Sequence, residues 1–268
     1  MSSAIYVFGF IPKGALPREV EIHGLEPGQA VIQEEFSDIS VVVSYVPLSD
    51  FVGEDAELRL QDIEWVGPRA VNHQRAIEKI LDYSVILPAQ FGVLFSCLDS
   101  LGQYVRCNHS EINEFLELIS DKREWGVKVY WENSRKRQRL IDAEFSSRLE
   151  QLAYLTDGAR YFKEKQLNAE IEKRATEWLR NILVESSSLL SALSHSARKR
   201  RILADDSGGE GRQMVANWAF LVENAKTDEF MSIVKDLNEQ DSDNGILARV
   251  SGPWPPYSFV PSLEWEYS

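Results

Sequence analysis

EWGVKVYWE, Glu124–Glu132, is the stretch whose reading decides the fold. Trp125, Val127, Val129 and Trp131 alternate with Gly126, Lys128, Tyr130 and Glu132. Successive side chains of a strand point to opposite faces, so period two marks a strand with one apolar face. Lys128, among hydrophobic neighbours, reads as exposed or snorkelling from a sheet edge.

Working outward toward the N-terminus, AIYVFGF (Ala4–Phe10) is a short apolar run suited to a buried strand. Strands are also expected over Ala30–Glu35 and Ile39–Val46, with Ser37-Asp38 as the hairpin turn between them. Val66, Ala70, His73, Ile77, Ile80 and Ser84 recur at spacings of four and three, which predicts a helix from about Pro68 to Tyr83. Val85–Val93 is a short apolar segment broken by Pro88 and Gly92, and two short helices follow near Leu98–Arg106 and Ser110–Ser120. The first half therefore reads as an antiparallel sheet with helices on one face, closed by EWGVKVYW.

Toward the C-terminus, residues 133–143 are charged and poor in apolar side chains, which suggests a domain junction. Phe145, Leu149 and Leu152 open a helical stripe. A long helix with Leu167, Ile171, Ala175, Trp178 and Ile182 on its buried face fades into Ser186-Ser187-Ser188. A strand is expected over Leu190–Ala197, a loop over DDSGGEG (Asp205–Gly211), a strand from Met214 to Val222, a helix around Phe230–Leu237 and a last strand over Ile246–Ser251. The second half is again α+β.

The 268 residues carry 42 acidic against 29 basic side chains, a net charge of −13. That charge disfavours phosphate backbones, so no nucleic acid is expected as partner. The basic runs at Arg135–Arg139 and Arg198–Arg201 read as solvated helix ends or loops. No apolar stretch has the length of a membrane span, so no membrane is expected. Cys97 and Cys107 have no CxxC or histidine partner and read as buried reduced thiols.

Catalysis requires a constellation, and none is legible. His23, His73, His109 and His195 sit at no metal-ligand spacing, and His73 on its apolar helix face reads as a hydrogen-bonded core histidine. Gly208, Gly209 and Gly211 lack the lysine and the strand-to-helix context of a phosphate loop. Glu34-Glu35 and Asp205-Asp206 are adjacent in sequence, but neighbours in a strand face opposite ways. No catalytic, cofactor or metal residue is assigned.

The order of blocks carries a resemblance. AIYVFGF, ISVVVSYVP, AVNHQRAIEKI with ILPAQFGVLF (Pro88, Phe91 and Gly92 in a P-x-x-F-G segment), EWGVKVYW and finally GPWPPYSF resemble the gas vesicle accessory proteins of the GvpF/GvpL family, with a lean toward GvpF. The resemblance covers residues 4–132 and 145–260, while Ser196–Arg212 departs from it. It implies two α+β domains, each a modified ferredoxin-like antiparallel sheet with helices on one face. These would be an N-terminal domain 1–133, a C-terminal domain 134–251 with a long helix, and a docked segment 252–268. It implies a non-enzymatic structural and assembly role, a cytoplasmic and gas vesicle location, and binding to the hydrophobic shell protein GvpA and possibly other accessory proteins. The alternative is a ligand-binding or regulatory protein with paired ferredoxin-like domains.

The closing segment GPWPPYSFVPSLEWEY holds four of the ten prolines and five aromatics. Prolines at 253, 255 and 256 forbid helix and suggest an extended, polyproline-like path. It reads as a strap docked on the body across the seam between the halves. Trp254, Tyr257 and Phe259 are its candidate partner-binding residues.

Overall fold

The structure is a computed structural model, and it describes residues 3–17, 19–202, 209 and 211–263. It is mixed α+β, with two sheets and eight α-helices among those residues. The chain divides into two compact units, Met1–Arg123 with Trp254–Ser268, and Glu124–Pro253.

The first unit contains β1 (Ser3–Pro12), β2 (Ile32–Phe36), β3 (Ile39–Pro47), α1 (Glu54–Gln61), α2 (Ile63–Leu81), β4 (Leu87–Pro88), β5 (Leu94–Phe95), α3 (Leu98–Cys107) and α4 (His109–Leu118). The sheet runs β2-β3-β1-β4, with β5 also pairing β1, and β1 with β3, β4 and β5, and β2 with β3, are antiparallel. Phe36 pairs with Ile39, so Ser37-Asp38 is the expected two-residue turn, and Ser37 takes a positive φ of 58°. Asp38 accepts hydrogen bonds from Asn113 and contacts His109 Nε2 at 2.6 Å, which holds its carboxyl down at about 2 and ties the turn to α4.

β1 explains the layering. From Ala4 to Ile11 it is buried on both faces. Ala4, Tyr6 and Phe8 join Ala76, Ile77 and Ile80 of α2 in one core, while Phe10 stacks on Tyr104 of α3 across the other face. A bulge between Val7 and Gly9 shifts the alternation, so that Ile11 returns to the α2 side. Helices therefore cover both faces of this sheet, not one. The unbroken apolar run of β1 is the pattern of a strand buried twice. Gly9 is required by close approach: a Cβ there would lie 2.6 Å from the Leu87 carbonyl oxygen of β4.

The second unit contains β6 (Lys122–Trp131), α5 (Asn133–Leu140), a π-helical segment (Ile141–Phe145), α6 (Ser146–Leu152), α7 (Asp157–Ala192), β7 (Ser194–Lys199), β8 (Gln213–Glu223), α8 (Thr227–Asp241) and β9 (Ile246–Trp254), with sheet order β7-β8-β6-β9. Val127, Val129 and Trp131 of β6 and Ala216, Trp218, Phe220 and Val222 of β8 bury one face against Ile171, Ala175 and Leu179 of α7 and Phe230 and Val234 of α8. EWGVKVYW is thus a strand, but an interior one of the second sheet rather than the last strand of the first. Lys128 is half-buried and not at an edge.

Three boundaries differ from the sequence expectation for local reasons. Residues 133–140 form α5, whose cations are paired: Arg135 with Glu132, Arg137 with Glu172, Arg139 with Asp243, and Lys136 over the Trp178 ring. α2 begins before Pro68 and contains it. α7 continues through its serines to Ala192: Ser186 and Leu190 are buried, and Ser187 and Ser188 satisfy their hydroxyls within the helix by donating to the Val184 carbonyl. Of the DDSGGEG loop, residues 205–208 and 210 lie outside the described residues. Both cysteines are exposed, not buried, at the two ends of α3. Hydrogen bonds from Ser100 and Ser96 lower the Cys97 thiol.

Candidate functional site

Within the first unit, AIYVFGF, AVNHQRAIEKI and ILPAQFGVLF meet around Tyr6 of β1, whereas EWGVKVYW lies in the second unit. α2 places His73 on its buried face, three residues before Ala76 and four before Ile77. Its Nδ1 lies 2.8 Å from the Tyr6 hydroxyl and its Nε2 3.2 Å from the Ala89 carbonyl oxygen. A neutral imidazole satisfies both: Nε2–H donates to Ala89, and Nδ1 accepts from Tyr6. The Tyr6 hydroxyl oxygen in turn accepts from the Gly92 backbone N–H at 3.3 Å. Phe8 stacks on the imidazole at 5.6 Å, and Phe91 meets it edge-on at 5.8 Å.

This environment fixes protonation. Burial holds His73 down at about 4, with the Ala89 bond opposing it, and burial raises the Tyr6 hydroxyl well above its ordinary value. His73 is the hydrogen-bonded core histidine its helical phase predicts. It clamps α2 to the Pro88–Gly92 segment through β1, and Gly92 makes the turn with a φ of 90°.

From Trp254 onward the closing segment belongs to the same unit. β9 runs through Pro253 to Trp254, and the chain then turns rather than continuing extended: Tyr257 N–H donates to the Pro255 carbonyl (2.8 Å) and Phe259 N–H to that of Pro256 (3.0 Å). Proline restricts φ but leaves ψ open, so consecutive prolines permit the turn. Pro255 and Pro256 are buried, and Tyr257 packs against the first-unit core that holds Tyr6 and Phe8. Burial, and then the Glu78 carboxylate of α2, raises the Tyr257 hydroxyl. Phe259 is half-buried, and Trp254 keeps 37% of its surface exposed. Residues 264–268 lie outside the described residues.

The predicted contact residues therefore divide. Tyr257 anchors, Phe259 is intermediate, and Trp254 stands at the surface. Tyr6, Phe91 and Gly92 of the clamp were not singled out with His73 as one group, because Tyr6 and His73 are 67 residues apart. The chemistry available here is packing and hydrogen bonding. The other histidines do not converge: His109 bonds Asp38, His23 bridges Ala30, and His195 is exposed in β7. Among the described residues no helix is long and apolar enough to cross a membrane.

The family model for gas vesicle synthesis protein GvpL/GvpF matches residues 4–261. The chain belongs to the GvpL/GvpF family. It is 27% identical over 262 residues to gas vesicle protein L of a Streptomyces species, an alignment covering 94% of this chain and 88% of that protein. In fold it is similar to the crystal structure of gas vesicle protein GvpF from an Anabaena species (TM-score 0.69, 17% identity, all of both chains covered). It is also similar to that of GvpF from Microcystis aeruginosa (TM-score 0.65, 18% identity, 96% and 99% covered). Relatives named L and relatives named F both match, so the family, not one member, is what these likenesses establish. Membership makes the chain a gas vesicle accessory protein that works in vesicle assembly and not as an enzyme.

Proposed function

We propose that the chain acts in the cytoplasm and at the gas vesicle, holding the hydrophobic shell protein GvpA in a deliverable state while the shell is built. Each half serves as a modified ferredoxin-like domain, and the closing segment is the contact element. The observation that carries this reading is the split within that segment. Tyr257 is packed on the body, whereas Trp254, three residues earlier, keeps over a third of its surface in solvent. A large apolar side chain held at the surface by a rigid, anchored backbone loses little entropy on binding. A shell subunit with large apolar faces needs such cover to stay in solution.

The test is capture of purified GvpA by the full chain and by Trp254→Ala, with a truncation lacking residues 252–268 as a harsher variant. Weaker capture by a normally folded Trp254→Ala supports the reading. Undiminished capture by both folded variants removes the closing segment from the contact surface.

A further inference from the structure

Two charged motifs take no part in that reading: Glu34-Glu35 and the run Arg198–Arg201. Each lies on, or runs from, the outermost strand of a different sheet. β2 ends the order β2-β3-β1-β4, and β7 ends the order β7-β8-β6-β9. Glu35 is exposed and Glu34 half-buried; Arg198 and Lys199 are exposed. Glu35 pairs with Lys13 at 2.9 Å, but both side chains are about half exposed, so that pair is solvent-screened and exchangeable. Arg200, by contrast, is committed inward to Glu124.

A groove runs beside each edge, its surface mixed polar and apolar at β2 and mainly apolar at β7. The one at β2 encloses about 600 Å³ and is lined by Leu16, Val20, Ile22 and Ile32. The one at β7 encloses about 320 Å³ and is lined by Leu183, Val184 and Ile202 beside Lys199. Ile32, Val184 and Ile202 are all exposed. An outer strand flanked by apolar surface is a template for another strand, and its charges decide which.

We propose that the two edges pair between copies, β2 of one molecule adding to β7 of the next. Like-charged edges repel, so β2 does not join β2 and β7 does not join β7. Neighbouring residues in a strand face opposite ways. An acidic step of two residues laid against a basic step of two residues therefore puts one opposite-charge pair on each face of the joined sheet. A slip of one residue loses one of the two pairs, which fixes the register. The contact uses different surfaces on its two sides. It is heterologous, and it builds rings or open rows rather than a closed twofold dimer.

Sedimentation of the full chain over a range of concentrations at fixed ionic strength tests this, with thermal melting to verify folding. The wild-type chain is expected to form species larger than a monomer as concentration rises. Glu34→Lys with Glu35→Lys, and separately Arg198→Glu with Lys199→Glu, should each weaken association at least about tenfold. The first pair lowers the net negative charge of −13, so its loss of association cannot come from general repulsion. Mixing the two folded double variants should restore association, because each presents the charge the other lacks. A wild-type chain that stays monomeric overturns the proposal. So does association that survives in both double variants, or a mixture that remains monomeric.

Discussion

The first unit keeps a neutral polar group in its core, and the second keeps a charged one. His73 is bonded on both ring nitrogens and held uncharged by burial. Glu124, at the start of β6, has no exposed surface and meets the guanidinium of Arg200, whose side chain keeps 33% of its surface in solvent. The clamp joins three separate segments through neutral hydrogen bonds, each contributing modestly but leaving no buried group unmatched. The ion pair spends its Coulomb attraction against the cost of burying a carboxylate, so it is strong only while both partners stay. Polar groups inside the two cores should therefore fail differently when perturbed.

Arg200→Met is the largest expected perturbation. It leaves the Glu124 carboxylate buried without this cation, at a cost of about 3–4 kcal/mol in urea unfolding. A loss below about 1 kcal/mol would show that Arg200 is not what compensates the buried carboxylate. Adding Glu124→Gln should return part of the loss, and the double-mutant cycle measures the coupling.

The first unit should lose stability in acid. His73 has a folded pKa of about 4 against 6.5 for an unperturbed imidazole, so between those values the unfolded chain binds a proton that the folded chain does not. Stability is then full above pH 6.5, falls through the window, and is lower by about 3 kcal/mol at its acid end. His73→Gln should cost stability at neutral pH but flatten this slope. An unchanged slope in the variant would assign the acid sensitivity elsewhere.

These contrasts also show what the sequence could carry. Alternation in Met214–Val222 and in EWGVKVYW identifies strands and their apolar faces, because that signal is local. It does not say which sheet a strand joins, since pairing is decided by distant residues: β6 pairs in the second sheet, not with the strands that precede it. Helical phase puts His73 on the buried face, but its partner Tyr6 is reached only once β1 and α2 are packed. Apolar spacing predicts a helix from about Pro68, but α2 starts at Ile63, and its packing outweighs the one backbone bond that Pro68 cannot make. The apolar character of the closing segment is legible in its sequence, while its turn at Pro255 depends on ψ angles that proline leaves open.

Tyr6→Phe isolates one link of the clamp. It removes the hydroxyl and leaves His73 Nδ1 and the Gly92 N–H without that partner, at a cost of about 1–2 kcal/mol. That is less than the loss from Arg200→Met, because no charge is exposed to a low dielectric. A cost equal to that of Arg200→Met would mean that the clamp behaves as a cooperative unit rather than as separate bonds.

Trp254→Ala should be the mildest in stability and the most informative about function. The side chain keeps 37% of its surface in solvent, whereas Tyr257 is packed on the core beside Glu78. Removing Trp254 should cost under about 1 kcal/mol, and Tyr257→Ala about 2 kcal/mol, by the apolar area each covers. If the segment is a contact element, the ranking inverts for shell-protein capture, with Trp254→Ala weakening it more than the less exposed Tyr257→Ala. If Tyr257→Ala instead causes the larger fall in both stability and capture, Trp254 is only part of the strap's packing, and the contact surface lies elsewhere on the chain.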